Sequence, residues 1–309
     1  GAVPPFEPVT SRQLTNANSE AAYITDTIGL GSQFDLIVGA RVDRFAADYH
    51  QTTLSTGAVL NLQRVDVVAS PHVALVYKPA PWQSFYISYG TSFDPSAEAL
   101  ALTAKTANLG PVKGTTYEAG SKTGLFEGGL LLSAAIFHTE VDNAQSNDPD
   151  NPSVTVLNGN ETVQGFEIGA SGHIGEHISL DAGYTYLDGK TSGVGASGAY
   201  HGTVVPDLAR DSLNVFAEYR FNPQWEVGLG ANYLGRRFAD VYNSASVPSY
   251  LVWNAMLEWR VSDKLTLQLN GLNLFNTPYY DGIYYTNASE NHVIPGAGRS
   301  VKLTARASF

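Results

Sequence analysis

From about Glu20 to the last residue, apolar and polar side chains alternate one for one along successive segments, and short connections alternate with long ones. A period of two puts neighbouring side chains on opposite faces of a β-strand, whereas a helix repeats at about 3.6 residues. In the final segment Val301, Leu303, Ala305, Ala307 and Phe309 share one face. Ser300, Lys302, Thr304, Arg306 and Ser308 share the other. Over 250–261, Leu251, Trp253, Ala255, Leu257, Trp259 and Val261 oppose Asn254, Glu258 and Arg260. Segments 34–43, 178–186 and 225–233 sort in the same way, with Ile37 as the exception in the first. Two segments depart from the pattern: 21–30 shows no clear apolar face, and the leucines of 265–275 switch parity at Asn270-Gly271, which predicts a β-bulge at the glycine.

The spacing predicts thirteen strands, at about 21–30, 34–50, 65–77, 83–93, 114–125, 130–144, 161–174, 178–187, 211–221, 225–238, 249–261, 265–275 and 299–309. Short turns fall at 30–33, 78–81, 127–129, 175–177, 222–224 and 262–264. Longer connections near 52–63, 94–113, 145–160, 188–210, 239–248 and 276–297 are rich in Gly, Asn, Ser, Asp, Pro and Thr, which satisfy turns locally. Strict alternation of the two lengths is the signature of an antiparallel sheet with all long connections on one side.

Most of these strands reach the length of about 9–11 residues that a tilted membrane strand needs. Only 15% of the 309 residues are charged, against about 25% in an ordinary soluble domain, yet no apolar run approaches the ~20 residues of a membrane helix. In lipid the backbone is satisfied only by helices or closed barrels, so strands point to a barrel. Aromatics such as Trp225, Tyr233, Tyr184 and Tyr186 mark strand ends, where amphipathic rings meet a membrane–water boundary. A soluble β-sandwich also alternates, but the second face here carries glycines and charges (Glu118 with Lys122, Glu218 with Arg220, Glu258 with Arg260, Lys302 with Arg306) and is too polar for a sandwich core. The absence of cysteine excludes disulfide frameworks and thiolate metal sites. A net charge of −11 argues against a nucleic-acid partner.

In this order and spacing, a series of short motifs resembles the TonB-dependent outer-membrane receptors for ferric siderophores, specifically the C-terminal part of their barrel. The series runs through Tyr23 and Asp26, Gly39-Ala-Arg-Val-Asp43, Ser70-Pro71, Tyr77-Lys-Pro79 and Ser92-Phe-Asp-Pro95. It continues with Gly110-Pro to Tyr117-Glu-Ala-Gly-Ser-Lys122, Gly165-Phe-Glu167, Gly183-Tyr-Thr-Tyr-Leu-Asp188, Val205-Pro206 and Gly230 to Arg236. It closes with Val247-Pro-Ser-Tyr250, Leu272-Asn-Leu-Phe-Asn276, Tyr279 and Pro295-Gly-Ala-Gly-Arg299 leading to Phe309.

The resemblance implies an all-β fold, an antiparallel transmembrane β-barrel segment supplying about 13 strands of a 22-stranded barrel, with the plug domain and TonB-binding segment absent. Residues 1–309 would form one barrel portion, 1–19 the remnant of an extracellular loop and 20–309 the strands. The implied function is TonB-dependent uptake of ferric siderophores in a Gram-negative outer membrane, with TonB engaged only through the missing N-terminal part and transport beyond this segment alone. A passive pore closed as a smaller barrel is the competing expectation, against which the odd strand count weighs. Phe309, a terminal aromatic after an alternating strand, resembles the signal read by the barrel-assembly machinery. Outer-membrane lipid would be the remaining partner.

No catalytic constellation and no cofactor motif is present, and His50, His72, His138, His173, His177, His201 and His292 lack metalloenzyme spacing. Asn147-Asp-Pro-Asp-Asn151 lacks the spaced oxygens of a calcium loop and reads as a solvated acidic loop. Candidate ligand-binding residues therefore lie on the long connections: Tyr200, His201, Tyr242, Tyr279, Tyr280, Tyr284, Tyr285 and His292, whose rings and polar tips suit a siderophore. For any single one of these tyrosines an upper aromatic girdle or loop-on-loop packing is the favoured reading, because interfacial tyrosine is common in barrels. Candidate plug-facing residues are Arg41, Asp43, Glu118, Lys122 and Glu167, for which mutual ion pairing is the competing explanation.

Overall fold

A computed structural model describes residues 9–95, 110–148, 151–157, 159–195, 198–287 and 290–308. Twenty strands follow one another, with no helix among the described residues: β1 Ser11–Leu30, β2 Phe34–Thr53, β3 Val59–Ala80, β4 Gln83–Asp94, β5 Val112–Leu125, β6 Leu130–Asp142, β7 Gln145–Asp148, β8 Asn151–Leu157, β9 Asn160–Ile174, β10 Ile178–Gly195, β11 Gly198–Val204, β12 Asp211–Asn222, β13 Trp225–Leu234, β14 Arg237–Phe238, β15 Ser246–Val247, β16 Tyr250–Ser262, β17 Leu265–Leu272, β18 Tyr280–Asn287, β19 Glu290–Pro295 and β20 Ser300–Ala307. Thirteen form one antiparallel path, β1-β2-β3-β4-β5-β6-β9-β10-β12-β13-β16-β17-β20, in the order the sequence predicts. The others are two-stranded decorations of the long connections, except β11, which pairs with the upper end of β10.

The register sorts the wall into two faces. Outward run Val227, Leu257, Leu269 and Leu303 as successive cross-strand neighbours. Facing the other way run Gly228, Met256, Asn270 and Lys302. The outward side chains are apolar and open: Ile136 is 63% exposed, Leu229 51% and Leu303 68%. A continuous apolar face of this extent is stable only against lipid or another apolar surface. Rings bound the band at two levels. Toward the short turns, Phe34 stacks on Tyr77 (4.7 Å) and Trp225 on Trp259 (5.3 Å). Toward the long connections, Tyr89 meets Tyr117 (5.2 Å) and Phe166 stacks on Tyr186 (5.5 Å). Tyr219 lies opposite Ile178, at the other end of the β10 ladder from Tyr186. At about 3.3 Å per residue along a tilted strand, the two levels are roughly 20–26 Å apart, the height of an outer-membrane apolar band.

Four details differ from the sequence reading. β1 begins at Ser11, and Ser11–Ser19, expected as loop, pair with Phe45–Thr53. The connection expected over 52–63 shrinks to residues 54–58, because β2 and β3 continue as a tall ribbon. Pro71 marks where that ribbon leaves β4: β3–β4 pairing starts at His72, and a residue without an N–H cannot extend that ladder. β1 does have an outward apolar set, since Ala22, Ile24, Ile28 and Leu30 pair with Val42, Ala40, Leu36 and Phe34, but Asp26 opposite Val38 interrupts it. Finally, Gly271 is not a bulge. It pairs regularly with Val301, and a Cβ there would lie 2.7 Å from the Leu274 side chain. The leucine parity changes because the strand ends at Leu272 and Asn273 turns the chain with φ 49°.

Candidate functional site

The long connections after β10, β13 and β17 interlock at the upper rim. Arg237 is the centre, 4% exposed. Its Nη1 donates to Asp207 Oδ1 (3.0 Å) and to the Asp281 carbonyl (2.8 Å), and its Nη2 donates to the Tyr280 carbonyl (2.6 Å). One guanidinium thereby joins all three connections. Asn243 adds a second tie, accepting from the Val204 N–H (2.8 Å) and donating to the Val204 carbonyl (2.9 Å). Asp240 folds its own turn, accepting from the N–H groups of Tyr242 (2.8 Å) and Ser244 (3.1 Å). Ala239, Val247 and Ile283 form a small apolar core between the second and third connections. Thr203 Oγ1, Tyr242 Oη and Arg237 Nε are buried with no hydrogen-bond partner among the described residues.

The base of the last connection is closed by Asn273, 3% exposed. Its Nδ2 donates to the carbonyls of Thr277 (2.9 Å) and Ala297 (3.0 Å), and its Oδ1 accepts from the Thr277 N–H (2.8 Å). Each polar atom of the side chain is used, as a buried amide requires. Gly296 lies against Tyr279 so closely that a Cβ would come within 2.2 Å of the ring. This close approach accounts for a glycine in Pro295-Gly-Ala-Gly-Arg299.

These contacts separate the candidate tyrosines. Tyr200 is buried at 4% and meets Tyr242 edge to face (5.6 Å), and Tyr279 packs on Tyr250 (4.6 Å), so these rings hold loop to loop or loop to strand. Tyr280 is open at 37%, and His201 and His292 are exposed. In the β18–β19 ladder Tyr284 pairs with His292 and Tyr285 with Asn291, while the side chains of Tyr284 and Tyr285 lie outside the described residues. Phe309 and the side chains of 147–151 also lie outside them. Just below the rim, Arg210 donates to Tyr186 Oη (2.5 Å) and sits over that ring; the hydrogen bond raises the guanidinium pKa above its ordinary value.

The five inner-wall candidates share one face. The register puts Arg41 and Asp43 on the face that runs through Ser70, and Glu118, Lys122 and Glu167 on the same face through Ser88, Ser84 and Ala135. Arg41 Nη2 donates to the buried Asp43 at 2.7 Å. Glu118 accepts from Tyr86 Oη (2.5 Å) rather than pairing with Lys122, which makes no ion pair among the described residues. Glu226 and Glu258 face each other directly across β13–β16; Arg220 Nε donates to Glu226 (2.9 Å), and Arg260 bridges the pair at 3.8 Å and 3.1 Å. Arg237, Asp240, Asn243 and Asn273 were not singled out by sequence reasoning. Their only sequence signal is a cluster of turn-forming acids and amides inside long connections.

A family model described as TonB dependent receptor-like, beta-barrel matches residues 1–274. The chain is 30% identical over 308 residues to a probable TonB-dependent siderophore receptor PiuA of Acinetobacter baumannii, covering 94% of this chain and 40% of that protein. It is 26% identical to the metal-pseudopaline receptor CntO of Pseudomonas aeruginosa, covering 99% and 43%. Among solved structures it superimposes on the siderophore receptor PiuA from Acinetobacter baumannii with a TM-score of 0.85 at 28% identity, covering 94% of this chain and 43% of that one. For the ferric-catecholate import receptor Fiu of E. coli K12 in its closed form, the TM-score is 0.81 at 25% identity, covering 96% and 45%. The chain spans about two fifths of the curated relatives it matches. With its unbroken antiparallel wall, apolar outside and polar inside, the chain belongs to the TonB-dependent receptor β-barrel family.

Proposed function

We propose that this chain forms the wall and part of the ligand-facing rim of a Gram-negative outer-membrane receptor for TonB-dependent uptake of ferric siderophores. The observation that carries the reading is the interlocked rim of long connections on a receptor-type wall, presenting Tyr280, His201 and His292 to solvent. Aromatic rings with polar tips suit a large, oxygen-rich chelate through stacking and hydrogen bonds. On the inner face, Arg41, Asp43, Glu118, Lys122 and Glu167 would meet the plug, with Lys122 the cation left for a plug carboxylate. Phe309 would present the assembly signal to the barrel-assembly machinery.

The strand topology speaks against a self-closed pore. β1 and β20 stand at the two ends of a thirteen-strand antiparallel path and therefore run in the same direction. Direct pairing between them would be parallel, whereas bacterial single-chain barrels close with even, antiparallel numbers.

The test is a chimaera in which residues 1–309 replace the matching barrel segment of a full-length TonB-dependent receptor, expressed in a receptor-deficient Gram-negative strain. The expected result is outer-membrane assembly and retention of ferric siderophore at the cell surface, with retention lost when His201, Tyr280 and His292 are replaced together. Recovery in the soluble fraction, or retention unchanged by those replacements, would contradict the proposal.

A further inference from the structure

We infer that Arg237 is a positioning residue that makes three separate long connections of the upper rim behave as one body. Four observations converge on it. First, the guanidinium is buried and divides its donors among Asp207 of the first connection and the Tyr280 and Asp281 carbonyls of the third, while its own backbone belongs to the second. Its planar fork is what allows one side chain to reach three acceptors. Second, Asp207 also donates its N–H to the Phe238 carbonyl (2.8 Å), so the first and second connections are tied at backbone level beside the ion pair. Third, Asp207 and Asn243 turn the chain at φ 54° and 55°, a left-handed conformation that Asp and Asn tolerate, and each is tied across to another connection, Asp207 to Phe238 and Asn243 to Val204. Fourth, Ala239 and Val247 pack against Ile283 and join the second and third connections beside the buried guanidinium, while the Asp207 side chain stays half open to solvent.

The consequence is mechanical. Tyr280, exposed on the third connection, and His201, exposed on the first, sit on segments with no direct sequence link, yet both segments are anchored to Arg237. A displacement of either by a ligand is passed to the other through the guanidinium. The inference stands on these contacts whether or not the ligand is a ferric siderophore.

Hydrogen–deuterium exchange of the same chimaera in detergent micelles tests it. Arg237→Gln is expected to raise exchange about tenfold or more in 203–208, 238–247 and 280–283 together, the loss expected for hydrogen bonds to a charged group, with β12 and β13 still protected. Asn243→Ala is expected to loosen only the first two segments. Arg237→Lys keeps a charge toward Asp207 but cannot span both carbonyls, so 280–283 should loosen while 203–208 stays near wild type. Exchange rising in a single segment for Arg237→Gln, equal loosening of 280–283 by Asn243→Ala, or a lysine variant indistinguishable from the glutamine one would overturn the inference.

Discussion

Trp225 and Trp259 stack across the β13–β16 ladder with centroids 5.3 Å apart and planes within 2°. One residue further along each strand, on the opposite face, Glu226 stands against Glu258. The outward pair is a membrane-interface aromatic contact, and the inward pair is a like-charge repulsion relieved by Arg220 on Glu226 and by Arg260 between the two. Both follow from the period of two.

The inward half of that arrangement is testable. Arg260→Met leaves Glu258 without its cation, opposite a Glu226 still held by Arg220, and should cost about 0.5–1 kcal/mol, since the group is partly open to water. Adding Glu258→Gln should recover most of the loss. Urea unfolding in micelles, followed by tryptophan fluorescence, measures both; full additivity of the two substitutions would count against the bridge.

The two faces should respond differently to the same charge. Leu229→Arg places a cation on the outward apolar band and is expected to cost about 2–4 kcal/mol near mid-membrane. Gln268→Arg, on the inner face, should leave outer-membrane assembly and stability close to wild type. Similar losses from both substitutions would refute the assignment of faces.

Gly296→Ala forces a methyl group into the Tyr279 ring and should separate Tyr279 from Tyr250. Overpacking of this kind costs about 1–3 kcal/mol. Limited proteolysis should show faster cleavage within 273–299. In a Tyr279→Ala background the same glycine substitution should be nearly silent.

Glu161 lies at the long-connection end of β9, beyond the Phe166 and Tyr186 rings. Burial raises its carboxyl pKa. Because the folded-state value is raised, the folded form binds this proton more tightly than the unfolded chain. Its contribution to stability is therefore most favourable below the ordinary carboxylate pKa and is lost as pH rises through the raised value. Exchange protection around Val141 and Thr191, its cross-strand partners, should fall over that window, and Glu161→Gln should remove the dependence.

The wall was legible because each strand reports itself locally: alternation, turn glycines such as Gly31 and Gly175, and connection length need only neighbouring residues. The outward set of β1 was hidden because Asp26 breaks it, and only register against Val38 shows which face it occupies. The bulge expected at Gly271 was a local reading of a chain that was about to turn at Asn273. The rim was least legible. Arg237 meets acceptors 30 and 44 positions away, and Asn243 one 39 away. No periodicity encodes such contacts. Tyr200 and Tyr280 look alike in sequence, yet the first is a packing ring and the second is open.

Single-cysteine scanning along β17 reads both faces of the wall, because the chain has no cysteine of its own. Positions 265–270 would be replaced one at a time and the protein, in intact outer membranes, exposed to a water-soluble maleimide. Labelling is expected at 266, 268 and 270, which share the inner face with Met256 and Lys302, and protection at 265, 267 and 269, which share the outward face with Leu257 and Leu303. Uniform labelling, or the opposite alternation, would overturn the two-faced wall.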